Sequence, residues 1–557
     1  MEKLKPKLFS VMKNYSKEQF MKDVIAGIIV AIIALPLSIA LAIASGVNPE
    51  RGLYTAIIAG FFISFFGGSR VQIGGPTAAF VIIIYGIVAE FGIDGLIIAT
   101  IMAGIMMVLL GLFRLGSLIK YIPYTITTGF TAGIAVGIFT GQIKDFMGIN
   151  MGAMPAEFVG KISAYSAHIS DFNLTALLIG ALALLIMILW PKVNKTIPGS
   201  LIAIIATTLI VKFAALEVNT IGSLYGTLSA QFPTFAFPKT NFQTISKLIA
   251  PAFTIAILAS IESLLSCVVS DGMIGSKHRS NMELVAQGLG NIFSGLFGGI
   301  PATGAIARTA ANVKNGGRTP IAGIVHAITL LLILLLCMPL AALIPMPALA
   351  AILIVVAYNM SGWRECINLV KKSPKSDLIV FFTTFLMTIF FDLVIAIEAG
   401  MVLAALLFMK RMAEVTNVEG WKYIDEEEED SNDSDSISLK KVPKNTLVYE
   451  INGPMFFGAA DKFMEIVSDV SKDVVIIRMR SVPAMDVSAL HSLWNVLRVC
   501  QKHHIVLIFA HVNEHPMAML QRAKFDVEVG LENFCPTIDA ALERASTIKP
   551  YKKQSSK

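Results

Sequence analysis

Long apolar stretches separated by short polar segments make up most of this chain. They recur from about Val24 to about Met409, at lengths near the roughly 17–25 residues that a helix needs to cross a bilayer. We therefore predict a polytopic α-helical transmembrane domain over residues 23–411, with about fourteen membrane-spanning helices. The predicted helices begin near Val24, Gly52, Pro76, Gly95, Tyr121, Leu174, Ile197, Pro251, Leu284, Ala302, Ile321, Pro347, Asp377 and Leu393.

The pattern changes after the last apolar stretch. An acidic, serine-containing run at 425–436 predicts a solvated linker over residues 412–440. Beyond it, apolar runs typical of strands alternate with helical patterns. The strand runs are 446–451, 474–479 and 505–510, and the helical patterns are 459–470, 486–501 and 515–524. This alternation predicts an α/β domain over residues 441–550, followed by a basic tail at 551–557.

Composition supports a membrane protein. Of 557 residues, 55% are hydrophobic and 15% are charged, and the mean hydropathy is +0.70. These values exclude an ordinary water-soluble globule, so membrane lipid is an expected partner. The net charge of +6 is modest and implies no nucleic acid partner. The five cysteines show no spacing typical of a metal site or a disulfide framework.

Lys and Arg are concentrated in alternate loops. If residues 1–22 lie in the cytosol, most loop cations fall on the cytosolic side, among them Arg70, Lys277 and Lys372, and far fewer on the other. This asymmetry agrees with the positive-inside rule, and an even number of spans returns the C-terminus to the same side. We predict a multi-pass protein of the cell inner (plasma) membrane with both termini cytoplasmic.

Two predicted spans are short and open with helix-breaking residues, at 74–80 and 298–305, in opposite halves of the set. In transporters built from inverted repeats, paired interrupted helices mark the substrate site, because unwound backbone is tolerated only where it lines a cavity. Two facing helix starts would offer unpaired N–H groups and partial positive charge to an anion. Pro76 and Pro301 would fit the first helical turns. The alternative is that Gly and Pro only permit kinks or close packing.

Arg308 follows the second broken segment. A guanidinium at that depth costs several kcal/mol unless it is paired or hydrated, so we expect it to face a cavity. Snorkelling to the cytosolic surface beside Lys314 and Arg318 is the alternative.

Glu262 is a carboxylate within an apolar segment long enough to span the membrane. An isolated ionised carboxylate is too costly there. A proton, a bound cation or a pair with Arg308 could neutralise it, and the first two are ingredients of ion coupling. Ser266, one helical turn later, could add an oxygen ligand for Na⁺. A purely structural Glu–Arg pair is the alternative.

The remaining polar candidates carry weaker signals. Ser38, in the first span, could form a third wall of the pocket, although close helix packing explains it equally well. His326 is expected to be a core histidine bonded to a neighbouring helix. No nucleophile elbow, P-loop or zinc spacing is present in the sequence, so we predict neither an enzyme nor a bound cofactor.

Together these motifs resemble the sulfate permease (SulP) family of anion transporters. Residues 75–79 are similar to the start of the family's third helix, 261–265 to its eighth and 307–309 to its tenth. Residues 277–278, 281, 283–284 and 287–291 also resemble the family pattern. The resemblance implies fourteen spans arranged as seven-plus-seven inverted repeats, a core and a gate domain, a homodimer and substrate held between the third and tenth helices.

The chain looks most like the bacterial C4-dicarboxylate branch of that family, whose members move succinate, fumarate and related acids. Two positions depart from other branches. Leu37 follows Pro36 where many sulfate and chloride relatives have glutamine, and Ala307 precedes the arginine where serine is common.

The C-terminal part resembles STAS domains, which are related to anti-sigma-factor antagonists. The resemblance rests on residues 485–490 at a strand-to-helix turn. The antagonists carry two hydroxyl residues after the aspartate, whereas Val487 and Ser488 follow Asp486 here. We therefore expect the domain to dock a cytosolic protein partner or contact a second copy rather than act as a phosphorylation switch, although it could also be only a stabilising domain.

The sequence thus predicts an elevator-type transporter of a small anion, first a C4-dicarboxylate, coupled to H⁺ or Na⁺. The predicted ion-coupling residues are Glu262 and Ser266. The predicted substrate-binding residues are Ser38, Gly75, Pro76, Thr77, Ala78, Ala302, Thr303, Gly304, Ala305 and Arg308. The rivals are a bicarbonate, sulfate or nucleobase transporter of the same fold and a passive anion channel.

Overall fold

A computed structural model describes residues 4–117, 122–151, 154–155, 157–194, 197–235, 237–238, 242–391, 393–415, 417–421, 440–456 and 472–548. The chain divides into two compact units, Met1–Val402 and Leu403–Lys557. The acidic run at 425–436, the expected helix at 459–470 and the basic tail lie outside the described residues.

The first unit is helical. Its helices are α1 (Lys7–Val11), α2 (Lys17–Ala44), α3 (Pro49–Phe66), α4 (Val81–Leu112), α5 (Tyr124–Met147), α6 (Phe158–His168), α7 (Leu174–Val193), α8 (Gly199–Phe213), α9 (Ile221–Tyr225), α10 (Phe242–Ile274), α11 (Ser280–Leu296), α12 (Ile306–Lys314), α13 (Ile321–Ala341), α14 (Met346–Met360), α15 (Trp363–Lys372), α16 (Lys375–Phe390) and α17 (Leu393–Val415).

Helical structure lies at every predicted span among the described residues. The spans predicted near Pro76 and Gly95 share α4, which Gly92 divides, because its φ of 67° interrupts the helical backbone. Seven helical stretches among the described residues, one of which joins α14 to α15, have the length and hydropathy typical of a membrane span. Some of the remaining segments, such as α12, are short, as expected where helices are broken. The prediction of a polytopic helical membrane protein is confirmed.

Two bundles organise this unit. One, here called the core bundle, packs α2, α3, α4 and α10–α13 against one another. The other, the gate bundle, packs α5, α7, α8, α14 and α16. Glycine permits close helix contact in the core bundle: a Cβ on Gly104 of α4 or Gly288 of α11 would collide with the carbonyl oxygen of the other residue. Such small residues are what membrane helices use to bring backbones together.

The second unit holds a five-stranded sheet in the order β3-β4-β5-β6-β7. Its strands are β3 (Asn417–Trp421), β4 (Thr446–Asn452), β5 (Val474–Ser481), β6 (Val506–Ala510) and β7 (Phe534–Cys535). Its helices are α18 (Val487–Lys502), α19 (Glu514–Arg522), α20 (Phe525–Val529) and α21 (Ile538–Thr547). β4 to β7 are parallel and β3 is antiparallel to β4. Apolar clusters cover both faces of the sheet, so the predicted α/β domain is confirmed.

One domain boundary differs from the prediction. The expected linker over 412–440 contains the end of α17, at Val415, and the strand β3 at Asn417–Trp421. β3 pairs with β4 through backbone hydrogen bonds, which require little of the side chains. Its sequence, NVEGW, lacks the strict apolar alternation that reveals a strand, so the sequence pattern alone places the start of the domain later, at 441.

Candidate functional site

The two broken segments meet inside the core bundle. Each contains a two-residue strand, β1 (Gly74–Gly75) and β2 (Thr303–Gly304), and the strands pair antiparallel with Gly74 opposite Gly304. A helix begins just after each strand: a short 3₁₀ helix at Ala78–Phe80 leads into α4, and α12 begins at Ile306. Because the strands are paired, both helix starts lie at one place in the bundle.

Both prolines lie outside the helical turns where the sequence placed them. Pro76 precedes Thr77, the residue that caps the 3₁₀ helix, and Pro301 precedes β2. Extended backbone before each helix is needed to form the strand pair, and proline favours extended backbone in the residue before it. The second helix start likewise falls at Ile306, after Ala302–Ala305 rather than within that range.

The two helix starts create a partial positive charge. The first amides of a helix have no partner within the helix, and its N-terminus carries the equivalent of about half a positive charge. One amide of the second start is used: the Ala305 N–H donates to the carbonyl of Ile73, at 2.9 Å. Thr77 is half-buried and Ile306 is 43% exposed, so this region is open to a solute. The arrangement suits a small anion.

Arg308 lies between the two helix starts. It is the third residue of α12, is 2% exposed, and donates from Nη2 to the carbonyl of Pro76 in the other broken segment. Nε and Nη1 have no hydrogen-bond partner among the described residues. The snorkelling alternative does not hold in this structure, because the guanidinium points into the bundle. Two charged donors are therefore left for a ligand.

Gly75 accommodates this guanidinium. Its φ is +155°, and a Cβ at this position would collide with Nη1 of Arg308. Glycine is thus required here by the close approach of the side chain from α12.

Glu262 on α10 reaches the first helix start. Its Oε2 accepts a hydrogen bond from the hydroxyl of Thr77, at 3.0 Å, and the side chain is half-buried. No ion pair joins Glu262 to Arg308 among the described residues, so the structural-pair alternative does not hold in this conformation. A carboxylate and a guanidinium therefore flank the same helix start without neutralising each other.

The second helix start is held by neutral hydrogen bonds from α10. Ser263 Oγ lies 2.7 Å from Thr303 Oγ1 and accepts from the Gly304 N–H at 3.0 Å. Thr303 also donates to the carbonyl of Ala259, at 2.9 Å. Hydrogen bonds thus attach β2 to α10 and give partners to the Thr303 hydroxyl and the Gly304 N–H.

Ser266 bonds to a neighbouring hydroxyl group in this structure, and its role in ion coupling stays a prediction. Its hydroxyl donates to Thr309 Oγ1 at 3.3 Å, and Thr309 Oγ1 accepts from the Ile73 N–H at 3.1 Å. Ser266 therefore links α10 and α12 to the segment before β1. No described bond joins it to Glu262.

Ser38 is buried in the contact between α2 and α3. Its backbone carbonyl lies against Gly52, where a Cβ would collide with it, and its hydroxyl has no partner among the described residues. No described bond connects it to either helix start. This placement agrees with the packing alternative, and the role of Ser38 in a third wall stays a prediction.

His326 differs from the expectation of a bonded core histidine. The ring is fully buried, and neither of its nitrogens has a hydrogen-bond partner among the described residues. A Cβ at Gly60 would lie 3.8 Å from its Nδ1 and 3.2 Å from the Gly74 carbonyl. His326 and the Gly74 carbonyl of β1 therefore both lie against Gly60.

Several residues that hold the broken segments in place were missed in the sequence. Asn291 on α11 bonds both the N–H and the carbonyl of Ala302, each at 2.8 Å. Glu283 accepts from the Gly68 and Ser69 N–H groups, at 2.8 and 3.0 Å. The signal that could have revealed them is a buried polar side chain on an otherwise apolar helix face, since such groups must be bonded.

A cavity of about 690 Å³ lies between the two bundles, at the C-terminal end of α2. Val81 and Ile82, just after the first helix start, contribute to its wall, as do Gly137 and Ile138 of α5. The cavity therefore approaches the paired helix starts from one side of the unit.

Comparisons with known proteins agree with this architecture. The family described as "Sulfate permease family" matches residues 20–384, and the one described as "STAS domain" matches residues 437–541. The chain is 40% identical to a putative sulfate transporter, YvdB, of Bacillus subtilis, over 94% of this chain and 97% of that protein. It is 32% identical to the bicarbonate transporter BicA of Picosynechococcus, over 85% of this chain and 86% of that protein.

Solved structures show a similar fold. The transmembrane domain of a cyanobacterial bicarbonate transporter, BicA, covers 70% of this chain and 98% of that one, with a TM-score of 0.62 and 28% identity. The murine Solute Carrier 26 family member A9 anion transporter, in the inward-facing state, covers 98% of this chain and 94% of that one. Its TM-score is 0.87 at 16% identity, which supports the fold alone.

Proposed function

Because the chain belongs to the sulfate permease family of anion transporters, we propose that it is a secondary active transporter whose substrate is a small oxyanion of the size of bicarbonate or sulfate. The observation that carries the proposal is the pairing of β1 with β2, which brings two helix starts and the free donors of Arg308 to one place. An oxyanion there would accept from helix-end amides and from the guanidinium together.

The sequence pointed first to a C4-dicarboxylate. Two considerations favour a smaller oxyanion with one charged centre. The relatives reported above are named for sulfate and bicarbonate. Arg308 is also the one cation that the described contacts bring to the helix starts, whereas two carboxylates of one substrate would each need a positive partner. C4-dicarboxylate transport is therefore the second candidate.

We further propose that Glu262 couples transport to H⁺ or Na⁺. Its carboxylate shares a hydrogen bond with Thr77 at the first helix start, so its charge acts directly on an anion bound there. An ionised Glu262 repels the anion, and a bound proton or Na⁺ removes that repulsion. Cation and anion would then bind together, which is the requirement for symport.

The two bundles suggest how the site moves. The paired strands, Glu262 and Arg308 all belong to the core bundle. We propose an elevator mechanism in which the core bundle carries the site past the gate bundle. The remaining proposals are a homodimer, an inner-membrane location with cytoplasmic termini, and a STAS domain that docks a cytosolic partner or the second copy.

Uptake into proteoliposomes tests the proposal. Labelled bicarbonate, sulfate and succinate are offered separately, with and without an imposed H⁺ or Na⁺ gradient. We expect one gradient to accelerate uptake of bicarbonate or sulfate more than of succinate. Preferential uptake of succinate would restore the dicarboxylate assignment. Absence of gradient-dependent uptake of any of the three would contradict the proposal, and large currents without gradient dependence would indicate a passive channel.

A further inference from the structure

A second concentration of positive charge lies away from the helix starts, beside the N-terminal segment. A pocket of about 590 Å³ opens there. We call it the basic pocket, and its lining includes Lys7, Tyr15, Gln19, Arg70, Arg279 and Arg318. Its lining contains four cationic side chains and no carboxylate.

Four separate parts of the chain supply the cations. Lys7 comes from α1, Arg70 from the segment between α3 and β1, Arg279 from the residue before α11, and Arg318 from the segment between α12 and α13. All four are half-buried, so they are partly withdrawn from water. Bringing four like charges together costs free energy unless an anion accompanies them.

Neutral groups hold two of the guanidinium groups in place. Arg279 donates to the carbonyl of Lys5 at 2.7 Å and to Ser10 Oγ at 3.1 Å. Arg318 donates to the carbonyls of Val313 and Gly317, both at 2.8 Å. These bonds orient the guanidinium groups and leave their charge uncompensated.

Lys7 donates from Nζ to the carbonyl of Lys277 at 2.7 Å. Nε of Arg70, by contrast, is buried and has no partner among the described residues. Arg70 therefore has a buried charged donor left for a ligand.

One carboxylate, Asp23, bonds to residues of the pocket lining and already has several partners. Asp23 accepts from Tyr15, Gln19, the Arg318 N–H and the Thr319 hydroxyl, at distances of 2.6 to 3.0 Å. Burial and the Asp23 charge raise the pKa of Tyr15 to about 12, so the phenol stays protonated and remains a donor. Through these hydrogen bonds, Asp23 holds Tyr15, Gln19 and Thr319 in the wall of the pocket.

Apolar residues next to the pocket place it near a membrane surface. Large hydrophobic side chains of the N-terminal segment and the first turns of α2 are exposed to between 41% and 57%. They are Leu4, Phe9, Met12, Phe20 and Met21. A segment with exposed apolar groups beside half-buried cations is typical of the boundary between lipid and water.

We propose that the basic pocket binds a phosphate group, either as the headgroup of an anionic lipid or as free phosphate. The oxygens of a phosphate group accept several hydrogen bonds at once, and their negative charge offsets the positive charge of the four cations. Basic pockets between helices near the cytosolic face bind phosphate headgroups by the same chemistry. Bound phosphate would tie the segments before β1 and after α12 to the N-terminal segment.

The experiment uses the full chain in nanodiscs and has two arms. In the first, nanodiscs contain phosphatidylcholine and phosphatidylglycerol, and the phosphatidylglycerol retained per protein is counted by native mass spectrometry. In the second, nanodiscs contain only phosphatidylcholine, and binding of radiolabelled inorganic phosphate is measured by equilibrium dialysis. Each arm compares the unaltered chain with Arg70→Gln and with Lys314→Gln, which removes an exposed charge outside the pocket.

We expect Arg70→Gln to weaken binding about tenfold in at least one arm, because it removes a charged donor, and Lys314→Gln to leave it unchanged. Loss in the first arm identifies the lipid headgroup, and loss in the second alone identifies free phosphate. If Arg70→Gln lowers the melting temperature, Lys7→Gln replaces it with the same expectation. Equal binding by the unaltered chain and the pocket variant in both arms would overturn the proposal. Transport in the uptake assay is a separate readout, so either proposal can fail alone.

Discussion

The two helix starts of the core bundle are paired in backbone but differ in what holds them. The second, at Thr303 to Ile306, is attached to α10 by neutral hydrogen bonds from Ser263 and Ala259. The first, at Gly75 to Ala78, contacts two charged side chains, Glu262 through Thr77 and Arg308 through Pro76. One start is thus a fixed support, and the other can respond to a change in charge.

This difference assigns separate tasks to the two halves of the site. Neutral bonds among buried hydroxyl and amide groups do not change with a gradient, so they preserve geometry while the core bundle moves. Bonds to a carboxylate and a guanidinium change in strength when a proton, Na⁺ or an anion arrives. Substitutions of the charged side chains that contact the first start, Glu262 and Arg308, should therefore alter transport, whereas substitutions of the neutral groups that hold β2 should alter stability.

The largest effect is expected from Arg308→Gln. This change removes the buried charge whose two free donors face the helix starts. We expect anion uptake in proteoliposomes to fall about a hundredfold, because a desolvated charge pair is lost. Lys314→Gln, on the exposed side of the same helix, is the matched control and should transport normally. Near-normal uptake by Arg308→Gln would remove the arginine from the site.

Glu262→Gln should have the next largest effect, and a different one. The amide oxygen can still accept from Thr77, but the side chain no longer carries charge. We expect the ratio of uptake with and without a cation gradient to fall about tenfold, while uptake without a gradient persists. Glu398→Gln replaces an exposed carboxylate and serves as the control. An unchanged ratio would show that coupling resides elsewhere.

Gly75→Ala tests the close approach between the two broken segments. The added Cβ would push against Nη1 of Arg308, and the φ of +155° disfavours any side chain. We expect uptake to fall about fivefold at limiting anion, because displacement of a binding group by a fraction of an ångström weakens its bonds. Gly86→Ala, in α4, meets open space and should behave like the unaltered chain. Equal uptake by both variants would mean that Arg308 does not need this position.

Ser263→Ala tests the fixed support. It leaves the Gly304 N–H without its acceptor and removes a partner of Thr303. We expect the free energy of unfolding to fall by about 1–3 kcal/mol, with the gradient dependence of uptake unchanged. Ser246→Ala, an exposed serine of the same helix, is the control for thermal unfolding. A loss of gradient dependence in Ser263→Ala would contradict the separation of tasks.

The sequence predicted the fold and the meeting of the broken helices because both depend on strong local signals. A long apolar run indicates a membrane span, and Gly-Gly followed by Pro indicates unwound backbone. Fourteen span starts and the residues at both helix starts could therefore be named in advance. The strand pair itself could not, since two residues such as Gly74 and Gly75 form no periodic pattern.

The bonding within the site was harder to predict. Ser266 was assigned beside Glu262 because both lie on one helical face, but a helical face says nothing about the partner on another helix. In the structure, Ser266 donates a hydrogen bond to Thr309, and Ser263 accepts one from Gly304 of β2. The strand β3 was missed for a related reason: its partner β4, rather than its own sequence, places it in the sheet.

Protection of engineered cysteines tests the central claim most directly, namely that both helix starts hold the same anion. Ile82→Cys, on the cavity wall just after the first start, and Ile306→Cys, at the second start, are made separately in a chain whose five native cysteines are replaced. Modification by a methanethiosulfonate reagent is timed with increasing concentrations of the transported anion. The account predicts that the anion slows modification at both positions, with half-protection at one shared concentration that matches the KM of uptake. Protection at only one position, or at neither, would contradict it.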